Sequence, residues 1–248
     1  MKKVYFLSMA IFAAVTMQAQ DWAPESTEWW YPEPVVVKPG KTPGQPPSDA
    51  IILFDGSDLS KWNSDQGGEP TWKIANGVAT TDPGKGGIQT KEYFGDCQLH
   101  LEFKLPPPVK ADAEDTHGQS QGNSGVILQG RYEVQILDPE NNNTYVNGML
   151  GSIYKQTAPL VNPYTTNGEW QTLDIYWKAP KFGTGGQLES PAIITVILNG
   201  VLIQNNYILK GHTPYRGLPA YSAHGRLPLT LQDHGRAISF RNIWIRNL

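Results

Sequence analysis

A two-residue alternation between Cys97 and Leu105 constrains this chain more than any other feature. Cys97, Leu99, Leu101, Phe103 and Leu105 are apolar, and Gln98, His100, Glu102 and Lys104 between them are polar. Strand side chains point alternately to opposite faces, so the segment reads as a strand with one face buried. The same period puts Leu173, Ile175 and Trp177 on one face and Thr172, Asp174 and Tyr176 on the other. Asn199-Gly200, between apolar runs at 193–198 and 201–203, predicts a type I′ hairpin. Trp72 to Val78, around Asn76-Gly77, reads as another strand and turn. Helical stripes are scarce, and no repeat of propeller length appears. Strands separated by Gly, Pro and Asn turns imply an all-β fold, two antiparallel sheets packed as a jelly-roll sandwich.

Composition narrows the function classes. With 39% hydrophobic and 17% charged residues among 248, the chain is too apolar for a solvated tail, and a formal charge of -3 offers no basic footprint for nucleic acid. The single cysteine, Cys97, rules out an internal disulfide and a multi-thiolate zinc site, and its place on the apolar face predicts a buried free thiol. Residues 1–19, with Lys2 and Lys3 before an apolar run ending near Met17, read as a signal peptide. That run is shorter than the roughly 20 residues a membrane span requires, so no membrane insertion is expected and the mature protein is expected to be periplasmic or secreted. From 20 to 50, Pro24, Pro32, Pro34, Pro39, Pro43, Pro46 and Pro47 exclude a regular helix or central strand. Trp22, Trp29, Trp30 and Tyr31 are costly to leave in water, which predicts an extended arm packed on a main domain at 51–248.

Two segments carry polar groups suited to chemistry. In Tyr132 to Asp138, Tyr132, Val134 and Ile136 take one face and Glu133, Gln135 and Leu137 the other. Glu133 and Gln135 then lie about 7 Å apart, the span of a sugar ring. Asp138 has the opposite parity, so a carboxylate partner for Glu133 must come from another strand, or from Asp138 once the chain turns at Pro139. Periodicity alone fits an ordinary solvated sheet face better. The second segment holds Gln232, Asp233 and His234 before Gly235, and taken alone it reads as a turn in which Asp233 bonds nearby amides. Parity changes across Arg241-Asn242, the mark of a bulge that would re-aim Arg241. An imidazole suits proton transfer near neutrality, and a guanidinium suits a developing oxyanion.

The ordered set Ile52-Leu53-Phe54-Asp55-Gly56-Ser57-Asp58-Leu59-Ser60-Lys61-Trp62, Gly122-Asn123-Ser124-Gly125-Val126, Tyr132-Glu133-Val134-Gln135-Ile136-Leu137-Asp138, Gly151-Ser152-Ile153-Tyr154, Gly168-Glu169-Trp170, Leu231-Gln232-Asp233-His234-Gly235 and Phe240-Arg241-Asn242-Ile243-Trp244-Ile245 resembles the 3-keto-disaccharide hydrolase family, also described as 3-keto-glycoside hydrolase-like. The resemblance implies a concanavalin-A-like jelly roll with a carbohydrate-facing concave sheet and an activity on oxidised glycosides. Gln129 stands where the motif is expected to carry an Arg. The implied reaction begins at a C3 ketone, which acidifies the C2 hydrogen; a base forms the enolate, the C1 substituent leaves, and water adds afterwards. On this basis Glu133, Asp138 and His234 form the expected base and acid set, and Asn123, Gln135, Tyr154, Gln232, Asp233 and Arg241 the expected substrate contacts. No cofactor is required. A divalent metal held by Glu133, Asp138, Asp233 and His234 is an alternative to Arg241 as enolate stabiliser, although no close ligand spacing demands one.

A non-catalytic, lectin-like carbohydrate-binding module is the rival reading, with Tyr132, Tyr154, Tyr176 or Trp177 stacking on sugar. A structural envelope protein whose Trp-rich arm recruits a partner is a third. The enzymatic reading requires Glu133, Gln135 and the Gln232-Asp233-His234 corner to gather around one hollow large enough for a saccharide.

Overall fold

The computed structural model describes residues 22–107, 118–140 and 142–248. Among them the chain runs through fifteen strands and no α-helix. β1 (Ile51–Phe54), β2 (Trp62–Ser64), β3 (Lys73–Ala75), β4 (Val78–Thr80) and β5 (Ile88–Phe94) come first. β6 (Cys97–Lys104), β7 (Ser124–Leu128), β8 (Tyr132–Ile136), β9 (Gln171–Lys178) and β10 (Lys181–Phe182) follow. β11 (Leu188–Ser190), β12 (Ile193–Leu198), β13 (Val201–Ile208), β14 (Leu227–Leu231) and β15 (Ser239–Asn247) complete the set.

These strands form an all-β sandwich of jelly-roll type. An eight-stranded sheet has the order β13-β12-β9-β6-β15-β4-β3 with β1 paired to β15, a five-stranded sheet has the order β2-β5-β14-β7-β8, and β10 pairs with β11. Every pairing is antiparallel. Alternation decides which side meets the core. Leu99, Leu101 and Phe103 of β6 and Leu173, Ile175 and Trp177 of β9 are buried against Val126 and Leu128 of β7, Val134 and Ile136 of β8, and Leu231 of β14. A one-residue slip of β6 would expose Leu99, Leu101 and Phe103, a loss of about 5–9 kcal/mol at roughly 1.5–3 kcal/mol per side chain. Cys97 is the expected buried thiol, and burial pushes its ionisation up to about 12.

The predicted turns form for the predicted reason. Asn199 (φ 50°) and Gly200 (φ 77°) join β12 to β13, and Asn76 (φ 52°) and Gly77 (φ 77°) join β3 to β4. Both central residues of a type I′ turn take positive φ, which Asn and Gly tolerate. The stretch 52–62 serves as a structural corner: Asp55 Oδ1 accepts from the Ser57 amide and hydroxyl, and the buried Trp62 Nε1 donates to Leu53 O at 2.8 Å.

The chain divides into two compact units, 1–36 and 37–248. The signal-peptide reading falls on 1–19, outside the described residues. In the first unit Trp22, Trp29, Trp30 and Tyr31 are exposed. In the second unit, 37–50 lies against β15 and β6. Gly44 O accepts from Asn242 Nδ2 and Trp244 Nε1, each at 2.9 Å, and Arg246 pairs with Asp49. Gly44 sits at φ 82°, and a Cβ there would lie 3.2 Å from the His100 ring, so the close approach depends on glycine. His100, on the polar face of β6, is thereby only 1% exposed; it stacks on Trp244 and its Nδ1 lies 2.7 Å from Asp174 Oδ1.

Candidate active site

The outer face of the five-stranded sheet carries the site. In the β7–β8 hairpin Gly125 pairs with Gln135 and Ile127 with Glu133, so the alternation that buries Tyr132, Val134 and Ile136 turns Glu133 and Gln135 outward. The 151–154 segment covers the free edge of β8 through Gly151 N to Gln135 O, Gln135 N to Ser152 O and Tyr154 N to Glu133 O. Gln232 N donates to Gly125 O, which brings the corner after β14 alongside β7.

A cavity of about 550 Å³ results, within the range of small-ligand sites. Six of the expected residues line it: Asn123, Glu133, Gln135, Tyr154, Gln232 and His234. Glu133 is 8% exposed, and its carboxyl makes no hydrogen bond to any described residue. Burial alone raises its ionisation from 4.5 to about 7. The carboxyl lies over the neighbouring strand, where a Cβ on Gly125 would come within 2.3 Å of Oε1, so glycine at 125 makes room for it. Gln135 is held by its amide: Nε2 donates to Asn123 Oδ1 and Gln119 Oε1, each at 3.2 Å, and Asn123 Nδ2 donates to Gln119 O at 2.6 Å. Tyr154 shares a hydroxyl hydrogen bond of 2.8 Å with Tyr145. Burial raises the ionisation of the Tyr154 phenol, with the Tyr145 bond adding to it, so the phenol stays protonated. Gln232 Oε1 is buried without a partner among the described residues.

Three expected residues stand elsewhere. Asp138 is buried behind the hairpin, where Oδ2 accepts from Gln121 Nε2 and Asn167 Nδ2 and Oδ1 accepts from the Glu140 amide; with its lone pairs so occupied it braces loops. Asp233 accepts from the amides of Lys85, Gly86 and Gly235, the turn role its neighbouring glycine suggests. Arg241 does sit at the expected bulge, marked by Asn242 at φ 47° and a register shift before Trp244. The bulge lies in the other sheet, however, and aims the guanidinium at Glu102 (2.6 Å) and over the Trp170 ring (4.1 Å). Gln129 is also away from the hollow; its Nε2 donates to Phe94 O and Gly225 O, tying two loops together. Among the stacking candidates, Tyr132 and Trp177 belong to the core and Tyr176 to the eight-stranded sheet.

The lining also includes Gln119, Arg131, His212, Thr213 and Tyr215, which sequence reasoning missed. Arg131 was findable, because it shares the parity of Glu133 and Gln135. His212, Thr213 and Tyr215 belong to the 209–226 connection, which has no alternation to read. That connection is pinned by Thr213 N to Arg131 O and Glu133 N to Thr213 Oγ1. His212 Nδ1–H donates to Ala220 O at 2.6 Å, which leaves Nε2 as the free nitrogen. At the mouth the Lys155 ammonium donates to Tyr215 O and lies over the rings of Tyr145, Tyr154 and Tyr215. No group of three His, Cys, Asp or Glu side chains suited to a metal occurs among the described residues, and of the four ligands named for one, Asp138 and Asp233 are engaged elsewhere.

Residues 49–246 match a family profile described as a 3-keto-alpha-glucoside-1,2-lyase-like domain. A crystal structure of a candidate glycosyl hydrolase from Parabacteroides distasonis ATCC 8503 is similar at 46% identity and a TM-score of 0.85, over 93% of this chain and 99% of that one. Two further candidate glycosyl hydrolases of that organism share the fold. One has 18% identity and a TM-score of 0.60 over 81% of this chain and 94% of its own; the other has 23% and 0.53 over 80% and 99%. No match is found among curated proteins.

Proposed function

The chain belongs to the 3-keto-alpha-glucoside-1,2-lyase-like domain family, and from that premise we propose that it cleaves the glycosidic bond of 3-keto-glycosides by proton abstraction at C2 and elimination at C1, followed by hydration. One observation carries this reading: Glu133 is the sole carboxylate among the described residues lining the hollow, and it ionises near 7. Ordinary glycoside hydrolysis through an oxocarbenium-like transition state uses two carboxylates flanking the bond. Elimination beside a ketone needs one base, and a base is most effective when its ionisation lies near the working pH.

In this reaction the Glu133 carboxylate takes the C2 proton. His234, on the exposed side of the hollow, protonates the leaving oxygen. Gln135, held by Asn123 and Gln119, together with Gln232 and Tyr154, orients the sugar hydroxyls. No metal enters these steps. The signal peptide expected at 1–19 supports a periplasmic or secreted protein, and no helix among the described residues is long and apolar enough to cross a membrane.

The test incubates the full chain with a 3-keto-disaccharide and with its unoxidised parent, following products by mass spectrometry with and without chelator. Turnover of the oxidised compound alone, unaffected by chelation, is expected. Binding of the sugar without turnover would replace the enzyme with a carbohydrate-binding module.

A further inference from the structure

Elimination through an enolate needs a cation or strong donor at the C3 oxygen, where charge collects. Arg241 is committed to Glu102 on the opposite sheet. The wall of the hollow holds another guanidinium, Arg131, in the β7–β8 turn two residues before Glu133. Its surroundings differ from those of the arginines used structurally. Arg241 pairs with Glu102 and Arg246 with Asp49, whereas Arg131 meets no carboxylate among the described residues. Nη1 donates to Ser222 Oγ at 3.0 Å, which fixes the plane of the group. Among the described residues Nε is buried without an acceptor, while Nη2 neither meets an acceptor nor is buried. The Lys155 ammonium is already taken up by Tyr215 O and three aromatic rings. Arg131 is thus the charged donor in the wall that is held in place and lacks an anion.

Resting on the reading above, we propose that Arg131 is the catalytic residue that binds the C3 oxygen of a 3-keto-glycoside and holds the charge this oxygen gains during elimination. The C2–H bond breaks, its proton passes to Glu133, and its electron pair forms C2=C3 while the carbonyl π pair moves to the oxygen facing Arg131. When that pair returns, C1=C2 forms, the C1–O bond breaks, and the leaving oxygen takes a proton from His234.

The experiment compares wild type, Arg131→Ala and Gln129→Ala on a 3-keto-α-glucoside, with thermal melts reporting the fold. Loss of one oxyanion donor lowers kcat by about 10²–10³-fold. That loss is expected for Arg131→Ala, with partial recovery on adding millimolar guanidinium, while Gln129→Ala, which loosens the same connection at Gly225 O without touching the hollow, stays within about threefold of wild type. A folded Arg131→Ala protein with unchanged kcat overturns the assignment, as does an equal loss in Gln129→Ala, which would mean that Arg131 only clamps the 209–226 connection. A wild type inactive on the oxidised glucoside would remove the reaction itself and this assignment with it.

Discussion

Replacing Glu133 by Gln tests the site through folding as well as catalysis. The Glu133 carboxyl ionises near 7 in the folded protein against 4.5 when unperturbed, because burial opposes the charged form. Between those values the folded state holds a proton that the unfolded state has released, so native stability falls as pH rises from about 4.5 to 7 and then levels off. The interval is worth about 3 kcal/mol at roughly 1.4 kcal/mol per pH unit. Glutamine matches the neutral acid in size and never ionises, so the variant lacks this decline. Urea titrations from pH 4 to 8.5 are expected to superimpose the two proteins near pH 4 and to show the variant more stable by about 3 kcal/mol at pH 8. For a domain of this size that corresponds to a Tm difference of about 6–12 °C. The same variant is expected to lose about 10²–10⁴-fold in kcat/KM on a 3-keto-glycoside, the usual contribution of a general base. Parallel stability curves across the whole pH range would refute the claim that the folded protein holds a desolvated carboxyl there.

In the wild type, kcat/KM is expected to fall about tenfold per pH unit below 7 as Glu133 becomes protonated; a profile flat down to pH 5 would assign the base elsewhere. Gly125→Ala puts a methyl 2.3 Å from Glu133 Oε1 and should displace the carboxyl, lowering kcat and costing about 1–3 kcal/mol in a melt; unchanged kcat would show that the carboxyl position is unimportant. Gln129→Ala removes bonds to Phe94 O and Gly225 O, with an expected cost of about 2–3 kcal/mol and a kcat within about threefold of wild type. Asn242→Ala removes one of the two hydrogen bonds to Gly44 O and should open 37–50 to limited proteolysis while leaving kcat intact, since this contact lies on the other sheet.

What could be read from the chain were properties that depend on neighbouring residues. Alternation at 97–105, 132–137 and 172–177 determined which side chains enter the core, and the Asn-Gly pairs determined two turns, because pleat and turn geometry are local. Parity likewise put Glu133 and Gln135 on one face and located the bulge at Arg241-Asn242. Parity gives a face relative to a strand's own neighbours, however, and not which sheet's outer face that will be. Arg241 therefore lay on the side away from the hollow although its bulge was foreseen. Asp138 and Asp233 carry the right chemical group, yet only tertiary structure shows that their lone pairs are occupied by amides. His212 and Tyr215 come from a connection without periodicity, and His100 is sealed by the 37–50 segment, an event no strand pattern encodes. Burial belongs to the assembled sandwich, so the feature the chemistry depends on, a carboxyl at 133 that ionises near neutrality, was decided by what folds around it, while its place on an outward strand face was already set by the order of residues.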